Sequence, residues 1–267
     1  MTTNRTEKPS SVTQRVRDQF GPAAGSYAVS DVHVGGPDLE AMLRAVPLTG
    51  RERLLDVGTG AGHTALAFAP HVAEVVALDL TEAMLEQARA EAARRGLGNL
   101  HCQLGNAEAL PFPSASFDLV TSRLAAHHFA HADAAVAEIA RILRPGESLL
   151  LEDSMAPEDP AQDTFFNAVE LLRDPSHVRN YSPSQWLREL SACGIEAEVL
   201  GWWALYQDFD EWVERTRTPE TAVAELRRLF DTAPSEIRST LALNSRGPRS
   251  LSVPCALIRG RSLSGGC

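Results

Sequence analysis

The residues with the clearest chemical meaning form a glycine-rich turn after a short apolar stretch. The turn contains Gly58, Gly60 and Gly62. Glycine lets the backbone turn sharply and approach a ligand closely, because no Cβ stands in the way. A dinucleotide loop, G-x-G-x-x-G, would need a glycine at position 63, where the chain has His63. The turn therefore fits the edge of a cofactor without an obvious pyrophosphate site, and a purely structural turn is the alternative.

An acid follows the next apolar stretch. Asp79 stands 21 residues after Gly58. In nucleoside-binding α/β sheets, an acid at this place accepts hydrogen bonds from ribose hydroxyls, beyond the carboxyl ends of the strands. The alternative is that Asp79 caps the following helix, a role for which Thr81 competes. Because the glycine turn lies upstream at the expected distance, we interpret Asp79 as a ribose ligand.

Two adjacent histidines could move a proton. His127 and His128 follow a predicted strand, so one of the two should point inward, and histidine can accept a proton near neutral pH. The alternative is a histidine that packs or caps the helix beginning near Asp133. His131 stands nearby, but no fourth ligand is apparent, so we expect no metal site.

Composition argues against several other kinds of chemistry. The 267 residues include 44% hydrophobic and 22% charged residues, with a formal net charge of −10. This balance is typical of a globular protein and disfavours a nucleic-acid partner. The one lysine, Lys8, lies in a polar N-terminal stretch, so Schiff-base and phosphate-loop lysine chemistry has almost no candidate. The G-x-S-x-G elbow of serine hydrolases does not occur.

Cysteine usage and hydropathy set expectations about location. The four cysteines are scattered, without a C-x-x-C pair, so we expect free thiols rather than disulfides or zinc ligands. No signal peptide opens the chain, and no apolar run approaches the roughly 20 residues of a membrane helix. We therefore expect a cytoplasmic protein that has no membrane partner.

Seven apolar segments alternate with helical patterns and must position these residues. We predict strands over Arg53–Val57, Val72–Leu78, Leu100–Leu104, Phe117–Thr121, Ser148–Glu152, Ile195–Trp203 and Ser252–Arg259. A helix over 82–95 follows the second strand, with Thr81 as its candidate cap and Gly96 as its stop. Another helical pattern reaches Leu143 and ends at Pro145-Gly146. This alternation predicts an α/β fold with a Rossmann-like, seven-stranded, mostly parallel sheet and helices on both faces.

Helical patterns outside this alternation predict a cap over one edge of the sheet. We expect an N-terminal helical lid, a cofactor-binding core, a cap insertion rich in Pro, Asp and aromatic residues, a return to the core, a helical cap, and a last strand with its tail. The boundaries are 1–49, 50–153, 154–182, 183–204, 205–247 and 248–267.

Four blocks of sequence, in order, resemble one known family. They are Asp56-Val57-Gly58-Thr59-Gly60-Ala61-Gly62; Asp79-Leu80-Thr81 with Met84-Leu85; 105–112; and 117–120 running to 126–129. The match continues through 141–147. Residues 50–153 resemble the class I S-adenosylmethionine-dependent methyltransferases, in the ubiquinone/menaquinone-biosynthesis type branch (methyltransferase type 11). Residues 154–260 resemble more loosely a bacterial subgroup that has a helical cap.

This resemblance implies S-adenosylmethionine as the cofactor. The turn residues Gly58, Thr59, Gly60 and Gly62 would line its methionine part. Asp56, just before the turn, would lie near the cofactor's amino group.

The resemblance also implies contacts with the nucleoside. Asp79 would hold the ribose, and Leu80 would pack on the adenine. Asn106 and Ala107 would contact the adenine edge, although the family more often has Asp at 106. Asparagine keeps an acceptor oxygen without the charge, so that hydrogen bond would be weaker. Arg123 would lie beside the cofactor, with a surface ion pair as its alternative.

The reaction implied is an in-line methyl transfer to a small molecule. Alignment supplies much of the catalysis, and His127 or His128 would act as a base where the acceptor must lose a proton. Tyr27 in the lid would orient the acceptor or shield the sulfonium, with plain packing as the alternative. Five aromatic residues could line an acceptor pocket, with plain core packing as the alternative. They are Phe165, Phe166, Trp202, Trp203 and Tyr206.

We expect a hydrophobic or aromatic acceptor from bacterial secondary metabolism, methylated on carbon, oxygen or nitrogen, and a monomeric or homodimeric protein. Two other classes of function compete with this hypothesis. An NAD-dependent oxidoreductase would share the strand–glycine–helix pattern, but this chain lacks the third glycine of that pattern at position 63. A non-catalytic cofactor-binding pseudoenzyme would keep the same fold.

Overall fold

The computed structural model of the protein describes residues 11–25, 35–246 and 250–263. Its centre is a seven-stranded sheet in the order β3-β2-β1-β4-β5-β7-β6. The strands are β1 (Arg53–Val57), β2 (Glu74–Asp79), β3 (Leu100–Leu104), β4 (Phe117–Arg123), β5 (Leu143–Ser154), β6 (Ile195–Asp208) and β7 (Ser250–Ser262). All seven predicted strands are therefore present.

The strands from β3 to β5 pair in parallel, and β7 pairs antiparallel with both β5 and β6. The predicted mostly parallel sheet is confirmed. The carboxyl ends of the parallel strands meet at one edge, where parallel α/β sheets bind ligands.

Helices cover both faces of the sheet. They are α1 (Ser11–Phe20), α2 (Pro37–Ala45), α3 (His63–Phe68), α4 (Glu82–Arg95), α5 (Ala132–Ile142), α6 (Pro160–Arg173), α7 (Pro183–Ala192), α8 (Phe209–Arg215), α9 (Glu220–Asp231) and α10 (Ser235–Thr240). One face packs against α5 and α7, and the other packs against α2 and α3. Among the residues described, none of the helices has both the length and the apolar character needed to cross a bilayer.

Helix α4 has the predicted bounds and ends at Gly96, whose φ of 69° is left-handed. Thr81 occupies the N-cap position, but its side chain makes no capping hydrogen bond. The backbone amide of Thr81 instead donates to Asp79 Oδ1 at 2.9 Å. The prediction that the Thr81 side chain caps α4 is therefore wrong, because the Asp79 carboxylate holds this turn instead.

The prediction that Pro145-Gly146 ends a helix is also wrong. Helix α5 already ends at Ile142, and β5 begins at Leu143 and runs through Pro145. The pairing of β4 with β5 shifts register here, from Phe117 opposite Leu143 to Leu119 opposite Ser148. Residues 144–147 are left out of the ladder, so the missing amide hydrogen of proline costs no sheet hydrogen bond.

A separate hydrophobic cluster forms the cap. It joins α6 to the later helices and to the start of β7, through Phe166, Trp212, Leu226, Ile237 and Val253. The segment 154–182 and the helices after β6 thus share one apolar core. This packing agrees with a cap beside the sheet, while the domain boundaries drawn from the sequence stay a prediction.

Candidate active site

The glycine turn has the backbone that its sequence predicts. Gly58, Gly60 and Gly62 all have positive φ, at 69°, 54° and 88°. A Cβ on Gly58 would lie 2.6 Å from the Cβ of Ala125, and one on Gly62 would lie 2.8 Å from that of Ala88. These two glycines are therefore required by packing as well as by conformation.

Asp56 lies behind the turn and not in a cavity. Its carboxylate accepts hydrogen bonds from Thr59 Oγ1 at 2.6 Å and from Thr121 Oγ1 at 2.7 Å. Burial raises the pKa of Asp56 to about 6, although these hydrogen bonds oppose the rise. Asp56 thus fixes the turn through Thr59, and its expected contact with the cofactor's amino group stays a prediction.

Asp79 ends β2 beside the same turn. Its Oδ2 accepts the Gly60 amide at 2.8 Å, and its Oδ1 accepts the Thr81 amide at 2.9 Å. Burial raises the pKa of this carboxyl group, and the amide hydrogen bonds oppose that effect. The carboxylate therefore joins the turn to the start of α4.

A cavity opens above the turn, and we call it the main cavity. Eight of the ten predicted cofactor residues line it, namely Gly58, Thr59, Gly60, Asp79, Leu80, Asn106, Ala107 and Arg123. Asp56 and Gly62 lie outside the lining. Its mixed polar and apolar walls are typical of small-molecule sites.

Asn106 is held by its own turn. Its Oδ1 accepts the backbone amide of Glu108 at 3.1 Å. An amide oxygen has two lone pairs, so one of them stays available for a ligand.

Arg123 forms a buried ion pair. Its guanidinium lies 2.5 Å from Asp38 Oδ2 and 4.0 Å from Glu152 Oε2. Because the Arg123 side chain is only 4% exposed, the alternative of a surface ion pair is wrong. Burial raises the pKa of Glu152 well above its usual value, against the opposing effect of Arg123.

Helix α1 closes one side of the main cavity. Val12, Val16 and Phe20 of this helix line it. The side chain of Gln19 donates to the Thr216 carbonyl at 2.8 Å, which ties the helix to the cap. The N-terminal lid over 1–49 stays a prediction. Tyr27, the predicted lid residue, lies outside the described residues.

His127 is paired with a carboxylate that sequence reasoning missed. Its Nδ1 lies 2.6 Å from Asp153 Oδ1, and its backbone amide donates to Asp153 Oδ2 at 3.0 Å. Burial alone would lower the pKa of His127, but the charge and hydrogen bond of Asp153 outweigh it and raise the pKa.

His128 has a different environment. Its Nδ1 lies 3.1 Å from the Ser176 carbonyl oxygen, and that nitrogen therefore carries the proton. Burial, followed by the charge of His127, lowers the pKa of His128 to about 4. The imidazole is therefore neutral at pH 7. Its ring meets Phe20 edge-on, with centroids 4.9 Å apart.

A second cavity, which we call the side cavity, adjoins the main one at Phe20, Leu124 and His128. Eight of its thirteen lining residues are polar or charged: His127, His128, Ser154, Glu170, Arg173, Asp174, Gln207 and Arg215. The other five are Phe20, Leu124, Leu205, Trp212 and Val253. Both predicted histidines therefore line this space, and only His128 reaches both cavities.

None of the five aromatic residues expected around the acceptor lines either cavity. Phe166 is buried in the cap core, with Phe165 and Trp203 packed against that core. Trp202 and Tyr206 are 57% and 40% exposed. Alternate residues of β6, an edge strand, face solvent, and this periodicity carries Trp202 and Tyr206 away from the cavities.

No three His, Cys, Asp or Glu side chains within residues 11–25, 35–246 and 250–263 are grouped as they would be around a metal ion. His131 precedes α5 at its N-cap position. The side-cavity residues Arg173 and Asp174 were also missed, because no local pattern marks them. Asp153 had a usable signal, since it lies near the carboxyl end of a strand, as Asp79 does.

Known proteins share this architecture. A family model described as a methyltransferase domain matches residues 55–151. The chain is 41% identical over 244 residues to the uncharacterized methyltransferase YcgJ of Bacillus subtilis, covering 90% of this chain and 96% of that protein. It is 30% identical over 170 residues to the ubiquinone/menaquinone biosynthesis C-methyltransferase UbiE of Pseudomonas putida, covering 61% of this chain and 66% of that protein.

The crystal structure of YcgJ matches with a TM-score of 0.82 and 40% identity, over 85% of this chain and 99% of that one. The resemblance found in the sequence to the class I methyltransferases is thereby confirmed. The chain belongs to the class I S-adenosylmethionine-dependent methyltransferases, and S-adenosylmethionine is its cofactor.

Proposed function

We propose that this methyltransferase acts on a small-molecule acceptor in the side cavity and that His127 removes the acceptor's proton. The observation that carries the proposal is the pair of His127 with Asp153, on the wall of a cavity that adjoins the main cavity. A carboxylate that holds one imidazole nitrogen leaves the other nitrogen to act as a base. The bound cofactor supplies a methyl group activated by a positively charged sulfur.

The main cavity suits the cofactor contacts that we propose. Asp79 ends its strand at the lining, and its two amide donors use two of the roughly four lone-pair positions of a carboxylate. Acceptor capacity therefore remains for ribose hydroxyls. We assign Leu80, Asn106 and Ala107 to the adenine, and the glycine turn to the methionine part.

Arg123 is our candidate partner for the cofactor's carboxylate. It is the one arginine among the described residues lining the main cavity. Asp38 holds its guanidinium at 2.5 Å and so limits its orientation. An arginine fork held in this way can form paired hydrogen bonds with a carboxylate.

In this proposal, His128 helps to position the reactants and α1 encloses them. His128 is neutral and held by Ser176, so it separates the two cavities without adding a charge beside the sulfonium. Apolar side chains of α1 cover the main cavity and exclude water. His128 as the base is the alternative, and its lowered pKa makes it the weaker one.

Because the chain belongs to the methyltransferase family, the oxidoreductase hypothesis has no support. The pseudoenzyme alternative is tested by measuring whether the protein transfers a methyl group to any acceptor. We propose a methyl-transfer screen of a metabolite library with the wild-type protein, His127→Ala and His128→Ala. Product from the wild-type protein and His128→Ala, with little from His127→Ala, would support the proposal. Cofactor binding without any product across the library would contradict it.

A further inference from the structure

Eight of the thirteen residues that line the side cavity have polar or charged side chains, although the sequence suggested a hydrophobic acceptor. An apolar acceptor would displace water from these groups and replace none of its hydrogen bonds, which is unfavourable. An acceptor with polar groups of its own therefore fits this wall better than a wholly apolar one. This inference rests on the proposed function, since it takes the side cavity as the acceptor site.

Two guanidinium groups stand on the cap side of this cavity. Arg173 ends α6, pairs with Glu170 at 3.1 Å and lies over the Trp212 ring, 5.0 Å from its centroid. Arg215 ends α8 and donates through Nη2 to Gln207 Oε1 at 2.5 Å. These contacts restrict both side chains, and a guanidinium held in place presents a planar fork of donors that matches a carboxylate.

The acidic groups of the wall are engaged by neighbouring protein groups. Glu170 pairs with Arg173. Asp174 Oδ1 accepts both the amide and the hydroxyl of Ser176, at 2.8 and 2.6 Å. Asp153 beneath the wall holds His127. Each of these carboxylates is held in place by a protein group, and Arg173 and Arg215 supply the donors that an anionic ligand would need.

We propose that the acceptor is a small hydroxy acid. Its carboxylate would pair with Arg173 and Arg215 on the cap side, and its hydroxyl would hydrogen-bond to His127 on the sheet side. During transfer the hydroxyl oxygen forms the bond to the methyl carbon, and its proton passes to Nε2 of His127. The sulfur–methyl bond breaks with its electron pair left on sulfur, which gives S-adenosylhomocysteine and an O-methyl acid.

The test uses a panel of aliphatic and aromatic hydroxy acids, each assayed beside its primary amide. The amide keeps the hydroxyl and the shape but removes the negative charge. We expect transfer to at least one acid, with kcat/KM about 10- to 100-fold lower for its amide. Arg215→Gln should raise KM for the acid by a similar factor and leave cofactor affinity unchanged.

Two further variants separate charge recognition from folding. Arg215→Lys keeps the charge but loses the fork, so its KM should lie between those of the wild type and Arg215→Gln, at an unchanged melting temperature. Arg246→Gln is the matched control, because Arg246 stacks on exposed Tyr206, outside both cavities.

Equal transfer to acid and amide would overturn the hydroxy-acid class, as would no transfer to any acid by protein that binds S-adenosylmethionine in calorimetry. If the wild-type protein does not bind S-adenosylmethionine, that result instead counts against the proposed function and removes the basis of this inference.

Discussion

The Asp153 carboxylate holds His127 at two points, through the ring nitrogen Nδ1 at 2.6 Å and through the backbone amide at 3.0 Å. His127 follows the end of β4, and Asp153 is the last residue but one of the neighbouring strand β5. The double contact fixes the ring orientation and places the Nδ1 proton between the two groups, so Nε2 presents its lone pair.

Asp153→Asn should remove most of the activity. The amide keeps the size of the side chain but cannot stabilise an imidazolium, and loss of general-base catalysis lowers kcat by about 10²- to 10⁴-fold. Steady-state kinetics at saturating cofactor measure this effect. The control is Asp210→Asn, which removes an exposed pair with Arg227. A kcat for Asp153→Asn equal to that of the wild type would show that His127 acts without its carboxylate.

Activity should rise with pH through the pKa of His127. Only the neutral imidazole accepts a proton, and Asp153 raises this pKa above the usual value of 6.5. The acidic limb of kcat/KM therefore lies above pH 6.5. In Asp153→Asn the residual activity should have its limb at lower pH, because the charge that raised the pKa is gone. A limb at the same pH in both proteins would assign the titration to another group.

Asp79→Ala should abolish measurable cofactor binding. Two hydrogen bonds from ribose hydroxyls to a charged group contribute about 1.5–3 kcal/mol each, so the loss amounts to 10²-fold or more in Kd. Calorimetric titration with S-adenosylhomocysteine measures it. Glu82→Gln, on the exposed start of α4, is the control. Retained affinity in Asp79→Ala would discard the ribose assignment.

Gly58→Ala should destabilise the fold. Its φ of 69° and the 2.6 Å approach to the Ala125 Cβ combine backbone strain with overpacking, about 2–4 kcal/mol in total. Urea unfolding measures the loss. The double variant Gly58→Ala/Ala125→Gly should recover part of it, since the contact is relieved and the strain remains. No recovery would mean that the clash with Ala125 contributes nothing.

Glu152→Gln should change how stability depends on pH. Folded Glu152 keeps its proton to a higher pH than the unfolded chain, where the pKa is near the usual 4.5. The wild-type free energy of unfolding therefore falls as pH rises above 4.5, by at most about 1.4 kcal/mol per pH unit from this group. Glutamine cannot ionise, so the variant should gain stability relative to the wild type over that range. Glu86→Gln, on the exposed face of α4, should show no such gain.

The residues on the cofactor side of the site could be predicted because the sequence patterns that mark them are local. Gly58 and Gly62 follow directly from the need for a tight turn. Asp79 ends an apolar segment at a spacing that parallel α/β sheets share. Each of these signals lies within one strand–turn–helix unit, so the sequence pattern alone identifies them.

The acceptor side depends on contacts between distant parts of the chain. Asp153 reaches His127 across 26 residues, and Arg173 and Arg215 meet on a cavity wall built from different helices. Trp202 looked like a pocket residue by type, but its position on an edge strand carries it to solvent. Such placements follow from the packing of the cap, which has no local sequence pattern of its own.

The position of β7 between β5 and β6 has a consequence for biosynthesis. While the ribosome is still adding Ser250–Ser262, β5 and β6 are both open edges, and neither can pair with the other across the missing strand. The nascent chain therefore carries two long strands with unsatisfied backbone groups until synthesis has passed the whole cap. Closure of the sheet is therefore a late event, because it waits for the strand that comes last in the chain.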